Sequence, residues 1–184
     1  EACALRDAGN EVTVICPRMR GWTEPFEVRE GITIYRHWIA GEAKGICGFI
    51  GEYASALWGE LKCAVTAWRR TGFDVIHLCN PPDLLFLVAL PFKLVAGVKV
   101  IYDVHDLWPE MFEAKFGRRG LFYWCVRLAE RCTLGLADAV MATNQSVLAA
   151  VKRRGRKKDD ELFVVRTALN KPDTSVPEDA SLRK

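Results

Sequence analysis

The sequence has no CxxC pair, no glycine-rich phosphate motif after any apolar run, and no clean apolar stretch long enough to cross a bilayer. Each absence removes a class of protein. The seven cysteines, at positions 3, 16, 47, 63, 79, 125 and 132, are odd in number and mostly lie inside apolar runs, where cysteine acts as a small hydrophobe. That argues against a secreted disulfide framework and for a reducing compartment. The most apolar stretch, Leu84–Val98, is interrupted by Pro91 and Lys93 and falls short of the roughly 18 apolar residues of a spanning helix, so it reads as buried core. With no signal-peptide pattern visible, the expected setting is the cytoplasm. GxGxxG, GxxxxGK[ST] and GxSxG are missing, so a dinucleotide fingerprint, a P-loop and a hydrolase elbow are not present in this stretch. The three histidines are not at metal-ligand spacing and form no local cluster with cysteine. No metal and no cofactor are therefore expected.

Charge of one sign is also scarce. Lys+Arg 26 against Asp+Glu 23 leaves +3, and residues 152–158 (KRRGRKK) hold six positive charges, so the remainder sums to −3. No global basic field is available, and nucleic acid is not expected as a partner. What is present is ordinary globular composition, 50% hydrophobic and 27% charged over 184 residues, enough for one domain with a full core.

Apolar runs and helical patterns alternate. A short helix ends at Gly9-Asn10, and Val12–Cys16 reads as a strand buried on both faces. Phe26–Val28 and Ile32–His37 form an antiparallel excursion joined at Glu30-Gly31, and Ile46–Arg70 is a long amphipathic helix. Strands follow at Asp74–Cys79, Lys99–Val104, Ala139–Ala142 and Leu162–Val165. They are separated by helices reaching about Ala96, at Leu121–Leu136 and at Ser146–Arg154. The order implies an α/β, Rossmann-like three-layer domain whose mainly parallel sheet is covered on both faces. The chain opens on a helical pattern, which implies a preceding strand. Residues 1–170 are assigned to the domain and the polar Lys171–Lys184 to a linker or tail.

In such a sheet the ligand crevice lies beyond the carboxyl ends of the strands. The residues there are Arg18, then Asn80 and Asp83, then His105 and Asp106 after Asp103, then Thr143 and Asn144, then Arg166. All are polar, which suits a polyhydroxylated or phosphorylated ligand. His77 reads as a satisfied core histidine and His37 carries no signal. His105 admits two readings, an imidazole oriented by a neighbouring carboxylate, or a helix entry with Asp106 capping Leu107–Phe112. The basic run reads as a solvated helix end, with anionic lipid headgroups as the alternative. The aromatics of Phe116–Arg131 read as core, with a membrane surface as the alternative.

Several segments, in order, carry a resemblance: EACALRDAGNEVTVICPR, FDVIHLCNPPDLLFLVAL, VIYDVHDLWPEMFEAKFG, ADAVMATNQS and LFVVRTALN. Together they resemble the N-terminal domain of GT-B glycosyltransferases of family 4, over roughly residues 1–170, with YDVHDLWPE the most specific part. The resemblance implies two Rossmann-like domains across a cleft, the N-terminal one holding a glycan or lipid-linked acceptor and the C-terminal one a nucleotide-sugar donor. It implies transfer with retention and without metal. His105 would contact the transferred sugar, with Asp106 and Glu110 beside it and Asn80–Asp83 on the acceptor side. Cell-envelope polysaccharide or glycolipid synthesis is the family's commonest setting, with peripheral contact at the inner membrane face. The family's first strand with its glycine-rich loop and the donor domain lie outside this sequence, and Thr167-Ala168 stands where the family has Asn-Gly. Little or no transferase activity is therefore expected of the isolated chain. Two other readings stay open. One is a non-catalytic module that binds an acceptor or partner. The other is half of a nucleotide-sugar epimerase, for which no catalytic carboxylate set is identified.

Overall fold

The computed structural model describes residues 1–40, 45–81, 83–117 and 119–166. The elements are α1 (Ala2–Asp7), β1 (Thr13–Pro17), β2 (Phe26–Arg29), β3 (Ile32–His37), α2 (Gly45–Arg70), β4 (Val75–Cys79), α3 (Phe86–Ala96), β5 (Lys99–Val104), α4 (Trp108–Phe116), α5 (Leu121–Leu136), β6 (Ala139–Ala142), α6 (Gln145–Gly155) and β7 (Leu162–Val164). A 3-10 turn at Asp83–Leu85 leads into α3. The expected tail and the Thr167-Ala168 turn lie outside the described residues.

These strands form two sheets, not one. β4-β5-β6-β7 is a four-stranded sheet, parallel throughout, and β1-β3-β2 is a three-stranded sheet. The expected mainly parallel sheet is the four-stranded one, and the expected antiparallel excursion belongs with β1 to a separate sheet. Apolar runs reveal that a segment is a strand, but not which neighbour its backbone will find. β1 pairs in parallel with β3, which the predicted hairpin turns back antiparallel onto β2. Glu30 and Gly31, with φ of 51° and 75°, make the two-residue turn whose twist matches paired strands.

Alternation along β4–β7 sorts side chains to two faces. Leu78, Val100, Tyr102, Val104 and Val140 face one way and pack with Leu85 and Ala89 of the α3 region, Leu134 of α5 and Val151 of α6. A second cluster joins Ala64 of α2 to Val88, Phe92 and Val98, with Ile15 of β1 packed against it. The opposite face carries His77, Cys79, Asp103, Met141 and Phe163 through the strand register, and Val75 and Phe163 there are 48% and 49% exposed. Cover on both faces was expected; among the described residues it is complete on one. α3 likewise buries Val88, Ala89 and Phe92 but leaves Leu94 and Val95 in solvent, so Leu84–Val98 is core along one stripe only. The domain is an α/β, Rossmann-like unit. No helix of the described residues is long and apolar enough to cross a membrane.

Candidate functional site

The parallel register brings the carboxyl ends of β4, β5, β6 and β7 to one edge, Cys79 beside Asp103 and Ala142 beside Val164. Asn80 ties the first two mouths together. Its Oδ1 accepts from the backbone N–H of His105 at 2.7 Å and of Asp106 at 3.2 Å, and its Nδ2 donates to the Asp106 carbonyl at 2.7 Å. The same amide donates to Asp83 Oδ1 at 3.0 Å. Asp83 is interior, accepting also from the hydroxyl of Tyr102, while its own carbonyl accepts from Thr133. Burial raises the Asp83 carboxyl above the usual range, against the opposing pull of Tyr102 and Asn80. Asn80 is buried as well, so this pair shapes the loop that carries His105.

His105 stands at the rim with its side chain 41% exposed, and its Nε2 lies 2.9 Å from Oδ2 of Asp103, whose own side chain is 5% exposed. His77 Nε2 is 3.6 Å from the same oxygen, beyond hydrogen-bond length. The imidazoles, His77 foremost and then His105, hold the Asp103 carboxyl below its ordinary range against the cost of burial. An ionised Asp103 can only accept, so the His105 Nε2 that faces it carries a proton; in the neutral ring Nδ1 is then the acceptor. Asp103 is the residue that orients this imidazole. Asp106 is exposed and does not cap the next helix: Leu107 is the N-cap of α4, without a side-chain cap.

A family model for a glycosyl transferase 4-like domain matches residues 1–166. The chain belongs to that family. A search of curated proteins finds no match.

Within this glycosyl transferase 4-like domain the remaining candidates separate. Glu110, on α4, is bound by Arg154 of α6, which also pairs with Glu130 of α5 at 2.8 Å. Burial works against ionisation of Glu110, but Arg154 outweighs it and holds the carboxyl below its usual range. Thr143 and Asn144 lie at the mouth of β6, where Asn144 Oδ1 caps α6 by accepting from Val147 N–H at 2.9 Å. Arg166 is exposed past β7. Arg18 follows β1 in the other sheet, its N–H bonded to the His37 carbonyl at 2.8 Å.

Sequence reasoning missed Tyr102, Thr133 and Arg154. A tyrosine inside a buried strand needs a partner for its hydroxyl, and that was the available signal for Tyr102. Arg154 was hidden in the basic run, which is not simply a solvated helix end. Besides the Arg154 pairs, Lys152 meets Asp159 and Lys157 donates to the Ala137 carbonyl. The expectation that histidine and cysteine form no cluster is corrected: His77 and Cys79 are two apart on one strand, and their ligand atoms lie with that of Asp103 within 4.8 Å of one another. His77 is not a satisfied core histidine, since its buried Nε2 has no hydrogen-bond partner. Partial enclosure of the sulfur foremost, then the Asp103 charge, pushes the Cys79 thiol up to about 11, although the residue as a whole is exposed at the strand end. The aromatics of α5 divide: Tyr123 is core, whereas Leu121, Trp124 and Leu128 form a stripe 77%, 61% and 62% exposed.

Proposed function

We propose that this domain is the acceptor side of a two-domain glycosyltransferase that moves a sugar from a nucleotide-sugar onto a glycan or lipid-linked acceptor with retention and without a metal. The observation that carries this is His105, exposed at the sheet mouth with its Nε2 2.9 Å from the buried carboxylate of Asp103. A neutral imidazole presenting an acceptor nitrogen can fix a sugar hydroxyl while positive charge grows on the anomeric carbon. The departing diphosphate needs cations. Arg166 is the only Arg or Lys among the candidate residues at the four-stranded mouths, so the diphosphate grip is assigned to a partner domain. Asn80 sets the backbone of His105 and Asp106, and Thr143 and Asn144 offer further polar contacts along the rim. The same features weigh against a pure binding module, which has no need of an imidazole with a fixed tautomer, and against an epimerase half.

The exposed stripe of α5 favours the lipid-linked class. Leu121, Trp124 and Leu128 recur at helical spacing, with exposed Arg119 and Arg131 beside them. Such a face suits the plane of an anionic membrane interface, and it supports reading the enzyme as peripheral to the inner face of the cell membrane. Flotation with anionic vesicles should carry the protein at low salt, and Trp124→Glu should release it; no flotation removes the membrane contact.

The decisive experiment is turnover by the whole gene product with panels of nucleotide-sugars and acceptors. His105→Ala should lower kcat about 10²–10⁴-fold, and Asp103→Asn should lower kcat with little change in KM. Full turnover by His105→Ala would sink the assignment. Measurable turnover by the 184-residue chain alone would remove the need for a partner domain.

A further inference from the structure

We infer that His77, Cys79 and Asp103 form a binding site for a thiophilic divalent cation of the zinc class, on the open face of the parallel sheet. His77 and Cys79 are near neighbours in the sequence and Asp103 is not, and pairing of β4 with β5 completes the site. His77 and Cys79 are two apart on one strand and so share a face. Cys79 is in register with Asp103 of β5, which brings the carboxylate to the same face. The ligand atoms lie within 4.8 Å of one another. Ligands about 2.0–2.3 Å from a tetrahedral zinc stand about 3.3–3.7 Å apart, so the ligand atoms draw together by about 1 Å on binding.

The donor set points to the ion. Imidazole nitrogen with thiolate sulfur selects zinc-like metals over magnesium or calcium, which require oxygen shells. A second observation independently marks the position: His77 Nε2 is buried without a hydrogen-bond partner and faces Asp103 Oδ2 at 3.6 Å. Such an unpaired nitrogen is costly unless something satisfies it, and a cation between the two atoms would satisfy both. Asp103 is held by the sheet, while Cys79 is exposed and gives the ion a path from solvent. Three protein ligands leave a fourth position for water or for His105, whose Nε2 already lies 2.9 Å from Asp103 Oδ2. Binding exchanges the thiol proton of Cys79 for the metal, so affinity rises with pH. In either arrangement the metal competes for the oxygen that orients His105. On the transferase reading the ion is therefore an inhibitor of this site; that consequence rests on the reading, and the binding does not.

The test needs no sugar substrate. The chain, kept reduced with a phosphine, is titrated with Co²⁺, and a sulfur-to-cobalt charge-transfer band should grow to one equivalent and be displaced by Zn²⁺. Cys79→Ser should abolish the band, and His77→Gln should keep it while weakening Zn²⁺ binding about tenfold or more. In the unaltered protein, Zn²⁺ should shift the ring resonances of His77 and, through Asp103, of His105, and leave His37 in place. No band, a band that survives Cys79→Ser, undiminished affinity in His77→Gln, or resonances of His77 that do not move would each overturn the site. Failure here leaves the transferase reading intact, because turnover is never measured.

Discussion

The two faces of the parallel sheet come from the same strands and have opposite characters. One is closed by α3, α5 and α6 around Val100, Tyr102 and Val140. The other presents His77, Cys79 and Asp103, with Val75 and Phe163 in solvent. Polar groups occur on both sides, under different conditions. On the closed side the groups are joined into networks, as with Tyr102, Asp83 and Asn80, or Arg154 and Glu130, although Asp83 Oδ2 and Glu130 Oε2 are left without a hydrogen-bond partner inside them. On the open side His77 keeps an unpaired nitrogen and the His105 side chain is 41% exposed. The closed networks fix the backbone, and what the open side adds is an imidazole, that of His105, exposed where a ligand can reach it.

The comparison can be broken from its most strongly packed side. Arg154→Ala should cost about 3–5 kcal/mol in denaturant unfolding, because it leaves Glu130 buried without its main partner. A loss under about 0.5 kcal/mol would mean that Arg127, 3.7 Å from Glu130, suffices by itself. Leu134→Ala, at a site with no exposure, should cost about 2–5 kcal/mol, whereas Val75→Ala on the open face should stay within about 0.5 kcal/mol. Similar losses for the two would show that the second face is as tightly packed as the first. Tyr102→Phe removes one donor from Asp83 and should cost about 1–3 kcal/mol, with the Asn80 side-chain amide resonances shifting in NMR. Unmoved resonances would separate Asp83 from the loop that carries His105.

Much of this arrangement was legible in the sequence. Lys99–Val104 and Ala139–Ala142 are strands with the boundaries expected, since short β-branched runs between breakers have little freedom to be anything else. The mouth residues were legible too, because a parallel sheet fixes where its strands end. Pairing was not. Nothing in VTVIC states that β1 joins β3 and not β4, and nothing in DVIHLC states that Cys79 will meet Asp103. Those contacts depend on strand order, a property of the whole fold. A local sign was nevertheless present. A strand buried on both faces reads as nearly continuous apolar residues, and His77 and Cys79, two apart on β4, and Asp103 on β5 interrupt that pattern. The same logic explains α5, where LFYWC divides by helical phase into the core Tyr123 and the exposed Trp124.

Two carboxylates sharpen the comparison further, with the smallest expected effect. Asp103 lies between imidazoles and is held below its usual range. Glu60, enclosed on α2, is pushed up from 4.5 to about 7 by burial, with Oε2 unpartnered and His37 Nε2 3.8 Å from Oε1. The signs are opposite. Asp103 contributes stability above its unfolded value of about 3.9, and the contribution is lost as pH falls through the depressed folded value. Folded Glu60 binds its proton more tightly than unfolded Glu60, so its contribution is complete below 4.5 and is lost as pH rises through about 7. His37, lowered by burial against the Trp38 carbonyl bond, loses stability instead as pH falls below about 6.5. Glu60→Gln isolates the carboxyl from that opposing trend. The ceiling from the shift is about 3 kcal/mol, and with the side chain 22% exposed about 1–2 kcal/mol is expected after screening. Between pH 5 and 8, on the order of the window the shift defines, the native protein should lose that much stability relative to Glu60→Gln. A constant difference across the window would mean that Glu60 ionises as freely under α2 as in the unfolded chain, and that enclosure alone does not separate the two carboxylates.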